Sequence, residues 1–435
     1  LSVTASLGIT IYPQREDVDG DTLLRQADQA MYQAKESGRN RWLFFDLEQD
    51  QRVRGTQQSR ERLAEALRTS ELLLYYQPKV NMRTGALIGA EALIRWQHGE
   101  QGLLLPVTFL GLADNTDLEL QIGRWVIETA LQQMVIWQRS GNSIPVSVNV
   151  SARQLMHPGF VDDLAAAIAR FPELPADSLE IEILESSALI GLQAANGVIE
   201  RCRALGVQFA IDDFGTGYSS MTYLKALPAA SLKIDASFTR DMLTDPDDLA
   251  IVHSVVNLGA SFRRLVIAEG VESVAHGELL LLLGCELGQG FAIARPMPAH
   301  EMSSWQAAWT LNPAWASRKC VPREQLGMLF AEVEHRAWVL QLEAFVRGTH
   351  PQPPQLDPHD CRFGHWLDDE LTQQLSRYNA GDLLVAMHQV LHDLGEELIE
   401  LTLAGRSADA VPRLSELRSL SDAIHEQLRW LLARS

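Results

Sequence analysis

The chain has 435 residues, 46% hydrophobic and 21% charged, enough for about two or three domains with buried cores and too apolar for a disordered tail. It carries 37 Lys and Arg against 56 Asp and Glu, a formal net charge of −19. That balance excludes a broad basic surface that grips DNA or RNA by its phosphates, while a small anionic substrate stays open if cations offset an acidic pocket.

Residues 1–46 open on a strand-like run, VTASLGITIY, and continue in DTLLRQADQAMYQAKESG, where Leu23, Leu24, Ala27, Ala30, Met31 and Ala34 recur at helical spacing. Gly38 reads as the helix stop, and RWLFFD as a closing strand. One hairpin-like strand, one helix and one last strand make too small a core for a domain. The string ADQAMYQAKESGRNR, residues 27–41, resembles the C-terminal end of a GGDEF diguanylate cyclase domain. The resemblance covers only that family's tail, without its catalytic signature, so no cyclase activity is expected of this chain. The opening at Leu1-Ser2-Val3-Thr4, with no methionine and no signal peptide, reads as part of a longer protein whose anchors or sensors would lie upstream. Residues 47–70 are polar, with Leu63, Ala66 and Leu67 at helical spacing, and read as a helical linker.

Residues 71–312 alternate apolar runs with helical patterns. The runs are LLLYYQPKV, LIGAEALIRW, PVSVNV, LEIEIL, VQFAIDD, SLKID, RLVIAEG and GQGFAIA. Some eight strands alternating with helices imply an α/β fold, a (β/α)8 TIM-like barrel, whose chemistry sits at the C-terminal strand ends. Glu91, Asn149, Glu182, Glu185, Asp212, Asp213, Lys233, Asp235 and Glu269 fall within or at the ends of successive runs. One acid there reads as a helix cap or a surface charge; acids on strand after strand read as a site. Such acids repel one another unless cations neutralise them. Oxygen donors suit Mg2+ or Mn2+, and a paired acid such as Asp212-Asp213 can serve two ions, the usual arrangement for in-line attack on a phosphodiester.

This region resembles the EAL family of cyclic di-GMP phosphodiesterases over its whole length. The motifs are Glu91-Ala92-Leu93 within EALIRW, SVNVS, EIEILES, IDDFGTGYSSMTYL, LKID, AEGVES and GQGF, in the family's order. The resemblance implies that Glu91, Asn149, Glu182 and Asp212 ligate a first metal. Asp212 would bridge to a second, completed by Asp213 and Glu269. It makes Lys233 the residue that orients or deprotonates the attacking water, with Glu269, Glu185 and Glu272 as the catalytic acids about it. Glu185 and Glu272 would hold the loop after the fifth strand and the lysine's surroundings. Arg95 would contact a substrate phosphate, and Gln77 and Gln289 would line the pocket. A lysine beside divalent cations is expected to have a lowered pKa. Gly215 and Gly217 would let the loop approach closely. One departure is Leu184, where the family has threonine. Strand alternation sends it to the face opposite Glu185, so it is expected to be buried in packing.

Residues 325–435 are dominated by helical spacing: LGMLFAEVEHRAWVLQLEAFVRG, LTQQLSRYNAGDLLVAMHQVLHDLGEELIELTLAG and VPRLSELRSLSDAIHEQLRWLLA, with a Pro-rich loop, THPQPPQLDPHDCRFGHWL, after the first. They imply an added all-α antiparallel bundle. His388 and His392 share one helix face, a spacing that by itself reads as ordinary helix-surface histidines; with His335 and Cys361 they would make a closed tetrahedral zinc set, structural or sensory. His359, His365 and His425 compete for those places. The segment resembles the chemoreceptor zinc-binding domain in His335-x-x-Trp338, Cys361-Arg362-Phe363-Gly364-His365-Trp366-Leu367 and His388-x-x-x-His392. That resemblance implies one zinc ion, a homodimer and, through an oxidisable thiolate, redox sensing.

The expected function is metal-dependent hydrolysis of cyclic di-GMP to linear pGpG, with two Mg2+ or Mn2+ in the barrel and one Zn2+ in the bundle as regulator. A catalytically silent receptor for the dinucleotide and a zinc-responsive interaction module are the alternatives. Lost metal ligands would favour the receptor, and none is lost. Cys202, Cys285, Cys320 and Cys361 are too widely spaced for a disulfide framework, and no apolar run approaches a bilayer span. A cytoplasmic setting without membrane contact is therefore expected.

Overall fold

The computed structural model describes residues 3–14, 18–186, 192–217, 221–359, 361–371 and 380–432. Tyr218 to Ser220 of the IDDFGTGYSSMTYL motif, and residues 372–379 of the second C-terminal helical run, lie outside them. The chain forms two units, Leu1–Leu73 with Arg95–Glu119, and Leu74–Ile94 with Leu120–Ser435.

In the first unit, β1 (Leu7–Ile9), α1 (Gly20–Glu36) and β2 (Trp42–Phe44) follow one another. Asp19 starts α1 by accepting a hydrogen bond from the Thr22 backbone N–H at 2.8 Å. β1 pairs with β2 in parallel, Leu7 opposite Trp42. Parallel neighbours need a crossover rather than a tight turn, and α1 provides it. The expected hairpin-like strand is thus one limb of a βαβ unit. α2 (Leu47–Arg68) is a helix, as its spacing predicts, and its Leu63 and Ala66 are buried.

The barrel is built from β3 (Leu72–Asn81), β4 (Leu87–His98), β6 (Val146–Asn149), β7 (Leu179–Leu184), β8 (Gln208–Phe214), β9 (Ser231–Ile234), β10 (Leu265–Ala268) and β11 (Leu287–Gly288), with β5 (Gly102–Leu104) and β12 (Met297–Pro298) added on β4 and β3. The order β3-β11-β10-β9-β8-β7-β6-β4 closes through a β3–β4 pairing, so eight strands make a ring. Seven of the eight expected runs are strands; of the last, GQGFAIA, only Gly288 is, at the end of the two-residue β11. One direction differs from a regular (β/α)8 barrel: β3 lies antiparallel to β11, whereas β4 and β6 to β11 run parallel. Only residues 82–86 separate β3 from β4, too few for a crossover helix. Alternation sorts the two faces. Val146, Val148, Ile181 and Ile183 are buried, while Ser147, Glu180 and Glu182 meet Lys79 inside the ring. The helices used below are α3 (Pro246–Phe262) and α4 (Val274–Leu283).

The bundle comprises α5 (Leu326–Val346), α6 (Arg362–Leu371), α7 (Ala380–Leu403) and α8 (Ser407–Leu432). Its core includes Leu342, Leu384, Leu391, Leu398, Leu417 and Leu428. The three-residue link between α7 and α8 makes them an antiparallel hairpin. The expected loop over residues 349–367 is corrected at its end: its prolines stop at Pro358, and the backbone from Arg362 is free to turn into α6. Among the described residues no helix is long and apolar enough to cross a membrane.

Candidate active site and zinc centre

Two lysines and a ring of carboxylates fill the barrel's interior in layers. In the lower layer, β3 aims Lys79 inward, and its Nζ reaches Ser147 Oγ at 3.0 Å, Glu180 Oε2 at 2.7 Å and Glu182 Oε1 at 3.3 Å. In the upper layer, Lys233 Nζ lies 2.6 Å from Glu182 Oε2, 2.6 Å from Glu269 Oε1, 3.0 Å from Asp212 Oδ1 and 3.3 Å from Glu91 Oε2. Glu91 also accepts from Asn149 Nδ2 and from Gln289 Nε2, each at 2.7 Å. Gln289 Nε2 donates as well to Gln77 Oε1 at 3.0 Å. The strand ends thus bring together Gln77, Glu91, Asn149, Glu182, Asp212, Lys233, Glu269 and Gln289.

Asp213 joins by a backbone irregularity. Neighbours on a regular strand point to opposite faces, but the β8–β9 register shifts between Ile211 and Phe214 and Asp213 has φ 52°. As a result Asp212, Asp213 and Glu269 each place a carboxylate oxygen within 4.8 Å of the others. Glu185 is buried and holds the loop after β8, its Oε2 accepting from the Gly215 N–H at 2.8 Å. Gly215 has φ +107°, which favours glycine, and a Cβ on Gly217 would stand 2.6 Å from Glu185 Oε1 and displace that carboxylate.

The electrostatics follow from this crowding. Burial raises the Glu91, Asp212, Asp213 and Glu269 carboxyls, and neighbouring carboxylates add to it; Asp213 reaches about 7 and Glu269 about 8. Burial pushes Glu182 up too, but Lys233 and Lys79 outweigh it and hold it at about 2. Burial would lower the Lys233 ammonium, yet four carboxylates overcome that and keep it well above the usual lysine range.

This donor set fits hard divalent cations. It is all oxygen, carries more carboxylates than ammonium groups, and sits at one mouth. Asp212 Oδ1, although 3.0 Å from Lys233 Nζ, has no aligned hydrogen-bond donor.

The bundle gathers a second donor set. Cys361 Sγ, at the start of α6, is 3.3 Å from His388 Nε2 on α7, and ligand atoms of Cys361, His388 and His392 lie within 4.8 Å of one another. The His335 ring on α5 is centred 5.5 Å from that of His388. His335, His388 and His392 are at most 3% exposed. Burial lowers all three imidazoles, His388 to about 3, and the neutral ring is the form that binds metal. Both His335 nitrogens and His392 Nε2 have no hydrogen-bond partner, although burial without one is costly. Nitrogen and sulfur donors with free buried lone pairs fit zinc. His359 and His365 are exposed and stand outside the cluster; His359 faces Asp368 at 3.2 Å.

Comparison with known proteins matches this layout. Residues 1–41 match the diguanylate cyclase GGDEF domain, residues 60–296 the EAL domain and residues 335–399 the chemoreceptor zinc-binding domain. The EAL match alone spans more than half of the chain. The chain belongs to the EAL domain family. MucR of Pseudomonas aeruginosa, a bifunctional diguanylate cyclase/cyclic di-GMP phosphodiesterase, is 43% identical over 304 residues, 69% of this chain and 44% of that protein. PdeR of Escherichia coli, a cyclic di-GMP phosphodiesterase, is 36% identical over 304 residues, 69% of this chain and 45% of that one. The solved phosphodiesterase of PaMucR in complex with c-di-GMP is 45% identical, covers 56% of this chain and 99% of its own, with a TM-score of 0.55. The chain spans less than half the length of these two curated relatives.

Within this EAL barrel some expected residues sit elsewhere. Glu272 is exposed ahead of α4, its backbone N–H on His276 Nδ1 at 3.3 Å, and it is not among the carboxylates around Lys233. Asp235 caps the helix that follows β9, accepting from the Ser237 N–H at 2.7 Å, and its carboxyl also meets that of Asp213 at the edge of the site. Arg95 is buried on β4, on the same strand face as Glu91. Leu184 is 42% exposed rather than packed away; it shares the inward face of Glu180 and Glu182, and at the strand's end that face opens to solvent. Lys79 was not expected at all. The two-residue step from Gln77 on one strand face was the signal that pointed to it.

Lys79→Met tests its weight. Lys79 is 4% exposed and supplies one of the two ammonium groups that neutralise the wholly buried Glu182. Removing one partner of a buried ion pair costs about 3–5 kcal/mol, because the other charge stays buried. Urea unfolding of the variant is expected to show a loss of that size. A loss under about 1 kcal/mol, as for an exposed pair, would show that Lys79 is dispensable to the barrel.

Proposed function

We propose that this chain hydrolyses cyclic di-GMP to linear pGpG with divalent cations in the barrel, under the influence of zinc in the bundle. The observation that carries the reading is the convergence of Glu91, Glu182, Asp212 and Glu269 on one lysine at the barrel mouth, with Asp213 brought to the same place. The names of MucR and PdeR support the substrate. Glu91, Asn149, Glu182 and Asp212 would hold one Mg2+ or Mn2+, and Asp212, Asp213 and Glu269 a second. Two such ions, when bound, polarise the scissile phosphate and activate water for in-line attack. Lys233 holds its ammonium where it can steer a proton between the acids and the attacking water. Asn149 and Gln289 keep the Glu91 carboxylate in its orientation, and Glu185 fixes the loop that follows Asp213 and Phe214.

Regulation has a physical route in α3. His253 of α3 meets Phe330 of the bundle's α5, ring centres 5.6 Å apart. Two residues earlier, Ile251 packs where Gly215 passes, leaving no ordinary room for a Cβ. Movement of α5 about a zinc ion would therefore bear on the loop that Glu185 holds.

Turnover of cyclic di-GMP by the purified chain in Mg2+ or Mn2+, before and after selective zinc chelation, is the test. A linear dinucleotide product is expected, at a rate that changes on chelation. Tight binding without product in either metal would favour a silent receptor. Elemental analysis is expected to find about one zinc per chain, as a closed four-ligand site implies. Substituting His388 and His392 together by alanine should remove the zinc without removing hydrolysis, since the two metal sites use different donors. Loss of both at once would contradict that separation.

A further inference from the structure

Beneath the carboxylates at the barrel mouth lies a second polar layer, made by Lys79, Ser147, Glu180 and Ser231. Its lysine is there because β3 is reversed. Gln77 of β3 meets Gln289 at the mouth, and Lys79 is the next residue on the same strand face. On a strand that ran with its neighbours, a further step of two residues would lead out of the mouth. On β3, antiparallel to β11, it leads down into the ring, and Lys79 is buried there.

Four strands supply the layer. Ser231 Oγ on β9 donates to Glu180 Oε1 on β7 at 2.7 Å. Lys79 Nζ donates to Glu180 Oε2 at 2.7 Å, to Ser147 Oγ on β6 at 3.0 Å and to Glu182 Oε1 at 3.3 Å. An ammonium has three donors, and these three acceptors use them all. Charge balance for Lys79 does not require the third, because Glu180 is the nearer carboxylate. What the third contact does is fix Glu182. That carboxylate is tied on both oxygens to different ammonium groups, Oε1 to Lys79 below and Oε2 to Lys233 above. The terminal torsion of a glutamate is broad and soft on its own; here it cannot turn without breaking one of those bonds.

We infer that Lys79 is a positioning residue for the barrel's cation site: by holding Glu182 Oε1 from below, it keeps Oε2 turned toward the mouth, where a divalent cation would meet it. The inference rests on the reading of the barrel as a two-cation hydrolase. Lys79 touches neither the mouth nor the acids Glu91, Asp212 and Glu269 by any described contact, so it acts through Glu182. Without it Glu182 keeps its place on β7 and its partner Lys233, but its donor oxygen must be ordered each time a cation binds. The loss should therefore fall on cation affinity rather than on the chemical step.

The test is a titration of the full chain, with zinc already in the bundle, by Mn2+, reading the free ion by electron paramagnetic resonance. Lys79→Met is expected to bind Mn2+ about 10–100-fold more weakly than wild type, the usual cost of losing an outer-shell partner. The Mn2+ concentration for half-maximal turnover should rise in parallel. At saturating Mn2+ the KM for cyclic di-GMP should be unchanged and kcat within about tenfold of wild type, since no contact with substrate is removed. Glu180→Gln leaves Lys79 on Ser147 and Glu182, and should keep the wild-type Mn2+ affinity. Lys79→Met combined with Glu180→Gln removes a cation and an anion together, so that Glu180 is not left buried and unpaired. That double variant should bind Mn2+ as weakly as Lys79→Met, and it carries the test if Lys79→Met fails to fold. Wild-type Mn2+ affinity in Lys79→Met or in the double variant overturns the inference and leaves Lys79 a structural counter-charge. An equal loss in Glu180→Gln alone overturns it as well, because the effect would then belong to the layer and not to the hold on Glu182. No Mn2+ bound by the wild type overturns the two-cation reading and this inference together.

Discussion

Glu91→Ala is expected to reduce hydrolysis of cyclic di-GMP to background while the barrel stays folded. The carboxylate is tied on both oxygens: Oε1 accepts from Asn149, and Oε2 from Gln289 and Lys233. Its removal deletes one oxygen donor of the cation site and takes the acceptor from Asn149 Nδ2, while Gln289 keeps Gln77 and Lys233 keeps Glu182, Asp212 and Glu269. Loss of an outer-shell partner costs about 10–100-fold in affinity or activity, and a direct donor should cost more. Circular dichroism and the thermal midpoint separate this from unfolding, because Glu91 is buried by polar neighbours rather than by the apolar core. Turnover within tenfold of wild type in saturating Mg2+ or Mn2+ would remove the whole site assignment. Glu91→Gln sharpens the measurement, since it keeps the shape and loses the charge; it should be nearly as inactive.

The sequence made Glu91 visible for a physical reason. It lies within one of eight strand-like runs, and the chemistry of a (β/α)8 barrel sits at the strand ends. The same rule, together with the EAL motifs, placed Glu182, Asp212 and Lys233. Strand alternation, applied to Leu184, misled where the strand was not covered. Asp213 is expected beside Asp212 from the paired motif and does join it, yet on an ideal strand it belongs on the opposite face; the irregularity of β8 is what brings it round, and a one-dimensional pattern holds no sign of that. Leu184 was assigned to packing by alternation alone, but its inward face has no roof at the barrel mouth. The reversal of β3 was equally invisible in its apolar run, because hydrophobic alternation reads the same in both directions. The short segment before β4 carried the information instead. In the bundle, motif spacing marked His335, Cys361, His388 and His392. The burial of His425 and the exposure of His359 and His365 depended on how α8 and α6 pack.

Lys233→Ala should separate binding from chemistry. Lys233 is fully buried and within 3.3 Å of four carboxylates, so it stands behind the acids that would hold the cations rather than in the open mouth. A group so placed acts on the attacking water and on the orientation of the acids. Its loss should lower turnover by a factor on the order of 10²–10⁴, the usual worth of a positioned proton-transfer group. Substrate affinity should change little. Affinity can be measured by calorimetry in Ca2+, whose looser coordination should support binding better than turnover. Lys233→Arg supplies the decisive contrast. If a positive charge were all the site required, arginine would restore much of the rate. A planar guanidinium cannot occupy the point at which one Nζ meets Glu182 and Glu269 at 2.6 Å each, so the arginine variant is expected to stay within tenfold of the alanine one. Parallel loss of affinity and turnover in Lys233→Ala would instead make this lysine a substrate clamp, and rescue by arginine would reduce it to a counter-charge.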